Sequence, residues 1–564
     1  MIICGLKLTH DASVALIEDD QLVFSIELEK LNNNERYTLM EDTTAISKIL
    51  QDNGYKLDDV DHFAIDGWGG FNAESLALQT QFDERSYTLR VGNEGAPHQL
   101  AIADYEEPSL THDVLEAWTR EGLRIGEQSF PYSTYLHVVG HLMSAYCTSP
   151  FAAQGESSYI LMWDGGTYPR LYYFDATTKQ IANLGPLFLL IGDIYRIFAR
   201  HFGPFEGAIG MEQEDLSIAG KVMAYIALGT VRQELFSTFN AVYDGVKPKG
   251  LARPFSREVK RRVADGNYPA ADILRSLHAY LEKMLVSTLS QKVLEDDIKV
   301  RNICLTGGCA LNIKWNSAIR STGIFNQVYV PPFPNDSGNA IGAACAAMFQ
   351  KTGNTALQWN VYNGPNIINN QPADGWQGQQ CSIDALARIL YEHDEPVVFL
   401  NERAELGPRA LGNRSILASA FSAAMKEVLN RVKQRESYRP VSPICLEEKA
   451  PAIFEPGNRD PYMLFDHKMK PEWREKLPAV CHLDGTARLQ TINQHDNEIV
   501  ANLLVAYEKL SDIAVLCNTS ANYKGSGFFP DVYSATDWGA ENGVHYVWCN
   551  QMLYTHNGFL ASST

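Results

Sequence analysis

No two cysteines in this chain are spaced Cys-x-x-Cys. The ten (Cys4, Cys147, Cys304, Cys309, Cys345, Cys381, Cys445, Cys481, Cys517 and Cys549) are scattered. That excludes a zinc ribbon or a thioredoxin-type motif, and dispersed single thiols fit a reducing cytosol. Long apolar runs are missing too. The longest, Leu187 to Ile191 with its flanks, falls far short of a membrane span. The apolar stretch at the start, residues 1–7, is too short for a signal peptide, so a cytoplasmic location is expected. Positive charge is scarce: the formal net charge is −19. Such an acidic balance argues against a nucleic-acid or anionic-membrane partner. Low-complexity tracts and short solenoid repeats are also absent.

What the chain does have is length and core. With 564 residues and 45% hydrophobic content, it exceeds what one core supports, so two domains or more are expected. Residues 352–372 are rich in Asn, Gly and Pro without helical period. They place a boundary near 355, giving domains 1–355 and 356–564.

Within the first domain, His137 and His141 stand four apart in an apolar run of helical period. On a helix both imidazoles share a face and can reach one ion, although two ligands do not close a site. Residues 2–17 read as strand, turn, strand, with the turn Thr9-His10-Asp11-Ala12-Ser13, and a third strand over 22–27. Residues 159–174 repeat the plan around Asp164-Gly165-Gly166. Two hairpins with acidic, small-residue turns about 150 residues apart point to a duplicated α/β unit, although each turn is common alone. Residues 302–312 read as a buried strand ending in Gly307-Gly308, then a helix. Glycine there lets backbone approach a ligand, and a helix start favours anions. Asp336 lies in the turn before a small-residue helix over 339–350.

The second domain carries a basic island. Residues 402–439 hold eight Lys/Arg and four acids, a local +4 in an acidic chain. The run Gly407-Pro408-Arg409-Ala410-Leu411-Gly412-Asn413-Arg414-Ser415 offers guanidinium forks in a turn, which suit a small phosphate. Lys433, Arg439, Arg488 and Asn518-Thr519-Ser520 follow. A helix is expected over 423–436, with Lys426, Arg431 and Arg435 on a solvated face. Strands are expected over 395–400 and 513–517, and a helix over 500–510.

Taken together, these residues resemble the O-carbamoyltransferase family, which includes the tobramycin, 3-hydroxymethyl-cephem and nodulation-factor carbamoyltransferases. The matching pieces are His10-Asp11-Ala12-Ser13, His137-x-x-x-His141, Asp164-Gly165, Gly220-Lys221-Val222-Met223 and Thr306-Gly307-Gly308. Further along come Asn335-Asp336-x-Gly338, the 407–415 run, Lys433-x-Arg435-Glu436 with Arg439, Asp484-Gly485-Thr486-Ala487-Arg488 and Asn518-Thr519-Ser520. They keep their order over nearly the whole chain; the 407–415 and 484–488 runs are the specific ones.

The resemblance implies a duplicated actin-like N-terminal domain that carries a metal, and a C-terminal α/β domain of threonylcarbamoyl-AMP synthase type. Carbamoyl phosphate and ATP would meet in the C-terminal domain and give carbamoyl-AMP and pyrophosphate. The mixed anhydride would pass inside to the N-terminal site, where an acceptor hydroxyl attacks it. Arg409, Arg439, Arg488 and Asn518 would bind carbamoyl phosphate, with Lys433 and Ser520 nearby. Gly307, Gly308, Asn312 and Lys221 would serve the nucleotide. His137, His141 and Asp336 would hold a divalent metal, iron(II) by analogy, and Asp164 would lie at the metal or at the phosphate. His10 would be the general base. The acceptor would be a small specialised metabolite, as in antibiotic biosynthesis. Family members are often dimers, and a homodimer stands as an open alternative to a monomer.

Two stretches depart from the pattern: the one from His141 to Asp164 is longer by a few residues, near Gln154 to Ser157, and the other follows the first hairpin. Family members carry a Glu-x-x-Arg-type stretch and a later lysine after the first hairpin. Here Glu27-Leu28-Glu29-Lys30 intervenes with Arg36 further on, so Lys30 and Arg36 stay open as sources of that charge. Among rivals, a tRNA-modifying threonylcarbamoyl transferase disagrees with the acidic charge and the second domain. A hydrogenase-maturation carbamoyltransferase needs Cys pairs. A sugar kinase leaves residues 402–439 unexplained. A catalytically silent nucleotide-binding scaffold is the reading from another class.

Overall fold

The computed structural model describes residues 1–69, 87–107, 109–207, 216–246 and 252–560. The chain divides into two units: residues 1–26 with 39–360, and residues 27–38 with 361–564. The sequence reading put the division at 355. The structure puts it at 360 and assigns 27–38 to the second unit.

The first unit holds two mixed sheets. In one, β1 (Ile2–Lys7), β2 (Ser13–Glu18), β3 (Gln21–Glu27), β4 (His62–Asp66), β5 (Trp118–Ile125) and β6 (Gln128–Tyr135) stand in the order β3-β2-β1-β4-β6-β5. A helix, α1 (His137–Cys147), follows β6 directly. The second sheet comprises β7 (Ser158–Met162), β8 (Arg170–Asp175), β9 (Gln180–Pro186), β10 (Asn302–Thr306) and β11 (Gln327–Tyr329), ordered β9-β8-β7-β10-β11. In each sheet the first strand pairs antiparallel with its hairpin partner and parallel with the next strand, β1 with β4 and β7 with β10. The same order appears twice, which bears out the duplicated α/β unit expected from the two hairpins and agrees with the actin-like domain that the resemblance implies.

Register brings the chemistry together. Asp66, last in β4, pairs with Tyr135, last in β6, so Asp66 sits beside the start of α1. Thr306, last in β10, pairs with Met162, last in β7, so the Asp164 and Gly307-Gly308 turns adjoin. Gly307 has φ +85°, and a Cβ there would lie 2.4 Å from the Trp163 carbonyl oxygen; only glycine fits that turn. Between the sheets' helices, α1 meets α2 (Asn339–Thr352). Its small residues serve this packing: a Cβ at Gly342 would come within 1.8 Å of the Gly140 carbonyl oxygen, and one at Gly5 within 2.0 Å of the Ala340 oxygen.

The second unit is built on an eight-stranded sheet. Its strands are β12 (Trp376–Gln380), β13 (Val397–Leu400), β14 (Arg414–Ser419), β15 (Ser442–Leu446), β16 (Gln490–Ile492), β17 (Val515–Ser520), β18 (Tyr546–Cys549) and β19 (Met552–His556). They run β12-β19-β18-β13-β14-β17-β15-β16. One face packs α3 (Ala423–Val432) and the other α4 (Glu498–Ser511). The helix expected over 423–436 ends at Val432. Lys433 caps it, and Gln434 turns left-handed at φ 48°, which stops helical pairing.

The crossing of α1 and α2 yields the first prediction. Gly342→Ala forces backbone apart and should destabilise the protein by about 3 kcal/mol, the upper end of overpacking costs. Gly220→Ala, on a helix where an added Cβ meets nothing within 4 Å, should instead stabilise by roughly 0.5–1 kcal/mol. Urea unfolding midpoints of the two variants should move in opposite directions; an unchanged Gly342→Ala midpoint refutes the close crossing.

Candidate active site and metal centre

Four predicted ligands converge in the first unit. His137 and His141 on α1, Asp164 after β7 and Asp336 before α2 are all buried, and one ligand atom from each lies within 4.8 Å of the others. Asp336 Oδ1 is 3.4 Å from His141 Nε2 and 3.6 Å from His137 Nε2. Among the described residues neither Nε2 has a hydrogen-bond partner, nor does His141 Nδ1. Buried polar atoms are almost always paired, so two unpaired ring nitrogens facing one carboxylate oxygen fit a metal. Neutral imidazoles with carboxylates suit iron(II), manganese(II) or zinc(II) better than magnesium.

The surrounding contacts orient these ligands. His137 Nδ1 is 2.8 Å from Asp66 Oδ2, so the Nδ1 hydrogen is donated and Nε2 faces the cluster. Burial opposes charge on this ring, but Asp66 outweighs it and raises the imidazole to about 9. Burial would push the Asp336 carboxyl up; Lys7, His137 and His10 together hold it well below the carboxylate range. Asp164 accepts from the Tyr105 hydroxyl at 2.5 Å and from the Gly308 amide at 2.6 Å, so it joins the cluster to the glycine turn. Burial and the Asp164 charge push the Tyr105 phenol well above its usual range, which keeps it a donor.

His10 lies at the rim, its side chain one-third exposed. Its Nδ1 donates to Asp11 Oδ2 at 2.9 Å, and its Nε2 is 3.5 Å from Asp336 Oδ2. The half-buried Trp68 meets it edge-on, with ring centroids 4.9 Å apart. The Asn312 side-chain oxygen caps the helix Ile313–Ser321, accepting from the Lys314 and Trp315 amides. Lys221 sits half-buried on the helix Ile218–Tyr225. Acceptor pockets lie on variable loops, for which residues 70–130 are the candidates that the sequence offers; 70–86 and 108 of these lie outside the described residues.

In the second unit the cations gather. Burial, then Arg488, Arg36 and Arg439, push the Arg409 guanidinium far down. Burial with Arg435 and Arg439 lowers Arg488 to about 10, and burial with Arg439 lowers Arg435 to about 9. A guanidinium keeps its proton, so these directions express like charges crowded out of water. Glu436 opposes this at Arg439 and Arg435, and Asp460 at Arg488. Arg435 is therefore no solvated helix residue as expected: the helix ends before it, and its Nε bonds Asn430. Arg431 is exposed.

The paired arginines of the 407–415 run part company. Arg414 is buried and spends its guanidinium on the carbonyls of Asn401, Asn413, Pro365 and Glu402. Arg409 Nε is buried with no hydrogen-bond partner among the described residues. Lys433 Nζ bonds the Ser520 and Asn522 carbonyls and Asn522 Oδ1, and Ser520 Oγ also bonds Asn522. Asn518 Nδ2 donates to the Ala410 carbonyl and to Gln490 Oε1, leaving its buried Oδ1 unpartnered. The open question of Lys30 and Arg36 also resolves. Lys30 is buried and bonds Glu27 and the Glu405 and Gly407 carbonyls, while Glu27 accepts the Gly407 amide. It braces the 407 turn. Arg36 reaches the Pro408 carbonyl at 3.4 Å and adds its charge to the cluster.

Comparison with known proteins settles the family. The model of the carbamoyltransferase N-terminus matches residues 2–345, and that of the carbamoyltransferase C-terminus matches residues 387–556. The chain belongs to the carbamoyltransferase family. It is 45% identical to nodulation protein U of Rhizobium tropici, over 98% of this chain and 96% of that protein. It is 29% identical to the 3'-hydroxymethylcephem-O-carbamoyltransferase of Streptomyces clavuligerus, over 94% of each. Among solved structures, the activator of 2-hydroxyisocaproyl-CoA dehydratase from Clostridium difficile gives a TM-score of 0.33 at 12% identity, over 62% of this chain and 95% of that one. The strand order, not that likeness, carries the fold of this carbamoyltransferase. Among the described residues no helix is long and apolar enough to cross a membrane.

His141→Ala removes a candidate ligand whose ring makes no hydrogen bond among the described residues. Manganese(II) or iron(II) uptake, measured by equilibrium dialysis, should fall about a hundredfold while unfolding stays cooperative. Wild-type uptake by this variant refutes the metal centre.

Proposed function

We propose that this carbamoyltransferase makes carbamoyl-AMP from carbamoyl phosphate and ATP in its second unit, and transfers the carbamoyl group to an acceptor hydroxyl in its first. The crowding of Arg36, Arg409, Arg435, Arg439 and Arg488 carries the first half. So many half-buried cations are stable together only with anions between them, and guanidinium forks grip phosphate oxygens. Asn518 Oδ1 fits the carbamoyl NH2, which needs an acceptor where the phosphates need donors.

The chemistry balances with water. Water opens carbamoyl phosphate to carbamate and phosphate; a carbamate oxygen then attacks the α-phosphorus of ATP and pyrophosphate leaves. In the first unit the acceptor oxygen bonds the carbamoyl carbon, the carbon–oxygen bond to AMP breaks, and His10 Nε2 takes the hydroxyl proton. Asp11 fixes that tautomer by accepting from Nδ1. A divalent ion at His137, His141, Asp164 and Asp336 would neutralise phosphate charge and polarise the acyl oxygen. The acceptor carries a hydroxyl, as the name of the cephem relative says of its own substrate.

The test is to mix protein, ATP, carbamoyl phosphate and iron(II) and to follow pyrophosphate. A silent scaffold releases none. Arg439→Ala should abolish release with the fold intact, and Arg36→Ala should cut it at least about tenfold, the loss expected for one charge-assisted phosphate contact. His141→Ala should still release pyrophosphate but fail to carbamoylate an acceptor. Normal release by Arg439→Ala defeats the reading of the second unit; normal transfer by His141→Ala defeats that of the first.

A further inference from the structure

Lys7, the last residue of β1, is a buried ammonium that the transfer chemistry leaves unused. Its side chain is 1% exposed. Nζ lies 3.0 Å from Asp336 Oδ2 and 3.1 Å from Asp66 Oδ2. It is 3.5 Å from His137 Nδ1 and 4.2 Å from the centre of the Trp68 ring. One cation therefore ties a metal-ligand carboxylate to the carboxylate that orients a metal-ligand histidine. By holding Asp336 through Oδ2, it leaves Oδ1 turned toward the two Nε2 atoms.

Charge gives this arrangement a second consequence. Three buried carboxylates, Asp66, Asp164 and Asp336, meet around the cluster, and Lys7 cancels one. Asp193 pairs with Arg196, and Asp11 hydrogen-bonds His10 outside the ligand set. Among Asp66, Asp164, Asp336 and Lys7 two negative charges remain, which a divalent ion neutralises. A trivalent ion would leave a buried positive charge, and without Lys7 the balance would favour that ion instead. Buried charge is costly unless it is balanced.

We propose that Lys7 is a positioning residue that fixes the charge of the metal centre, so that it selects divalent over trivalent cations. This rests on the metal reading above. It predicts that selectivity follows net charge rather than the identity of any one side chain.

The experiment measures dissociation constants of manganese(II) and terbium(III) on the full chain and takes their ratio, so that changes common to both ions cancel. Lys7→Met should move the ratio toward terbium(III) by at least about tenfold, as one unit charge a few ångströms away demands at an effective dielectric near 20. Asp66→Asn should move it the other way. Lys7→Met combined with Asp66→Asn restores the net charge and should return the ratio to within about threefold of wild type. If Lys7→Met alone does not fold, Asp66→Asn and the double variant still read the charge. A ratio that stays flat across the series, in a wild type that binds manganese(II), overturns the role of Lys7 alone. A wild type that binds neither ion overturns the metal centre and Lys7 with it.

Discussion

The close crossing of α1 and α2 through Gly140 and Gly342 is the constraint on which the first unit depends. A Cβ at Gly342 would lie 1.8 Å from the Gly140 oxygen, so the two helices meet backbone to backbone. That approach sets α1, which carries His137 and His141, against the turn that carries Asp336. It also lets Asn339, at the start of α2, bond Asp66 and approach His137 Nδ1 at 3.1 Å. Side chains of three different segments converge because two glycines omit theirs. Interiors pack too densely to absorb an added methyl there.

The second unit solves a different problem. Its 407–415 turn must present Arg409 while remaining rigid, and two buried acids hold it. Glu27 accepts the Gly407 amide, and Glu405 accepts the amides of Leu411 and Arg414. Arg414 locks the far end through four carbonyls. Of the two arginines in one motif, one is spent on the scaffold so that the other can be left unspent.

Local patterns were legible in the sequence. The four-residue spacing of His137 and His141 places both on one face of α1, and the small residues after Asp336 announce a tightly packed helix. The two hairpins announced the duplicated α/β unit, though not the order of the strands beyond them. What escaped depends on distant pairing. Asp66 has no motif; only its register beside Tyr135 brings it to His137. Lys7 reads as an ordinary strand residue, and Tyr105 as an ordinary loop aromatic. Arg435 was misread because the apolar spacing, which ends at Val432, does not mark where the helix stops, whereas Gln434 turns left-handed. Residues 27–38 were misread because sequence neighbours suggest a common domain, and their hydrogen bonds run instead to residues 405–408 and 525–527.

The two centres follow one electrostatic logic with opposite sign. Around Asp336 the protein buries more carboxylate than ammonium; around Arg409 it buries more guanidinium than carboxylate. Neither imbalance stabilises the folded chain, because a desolvated charge without its counterion raises the free energy. Each is therefore a stored preference for a ligand of the missing sign, a cation in one unit and phosphate oxygens in the other. A chain of net charge −19 repels phosphates over most of its surface. On the function proposed above, the guanidinium cluster is then the place where an anionic substrate would find its complement, and the specificity of the site would come as much from that contrast as from any single contact.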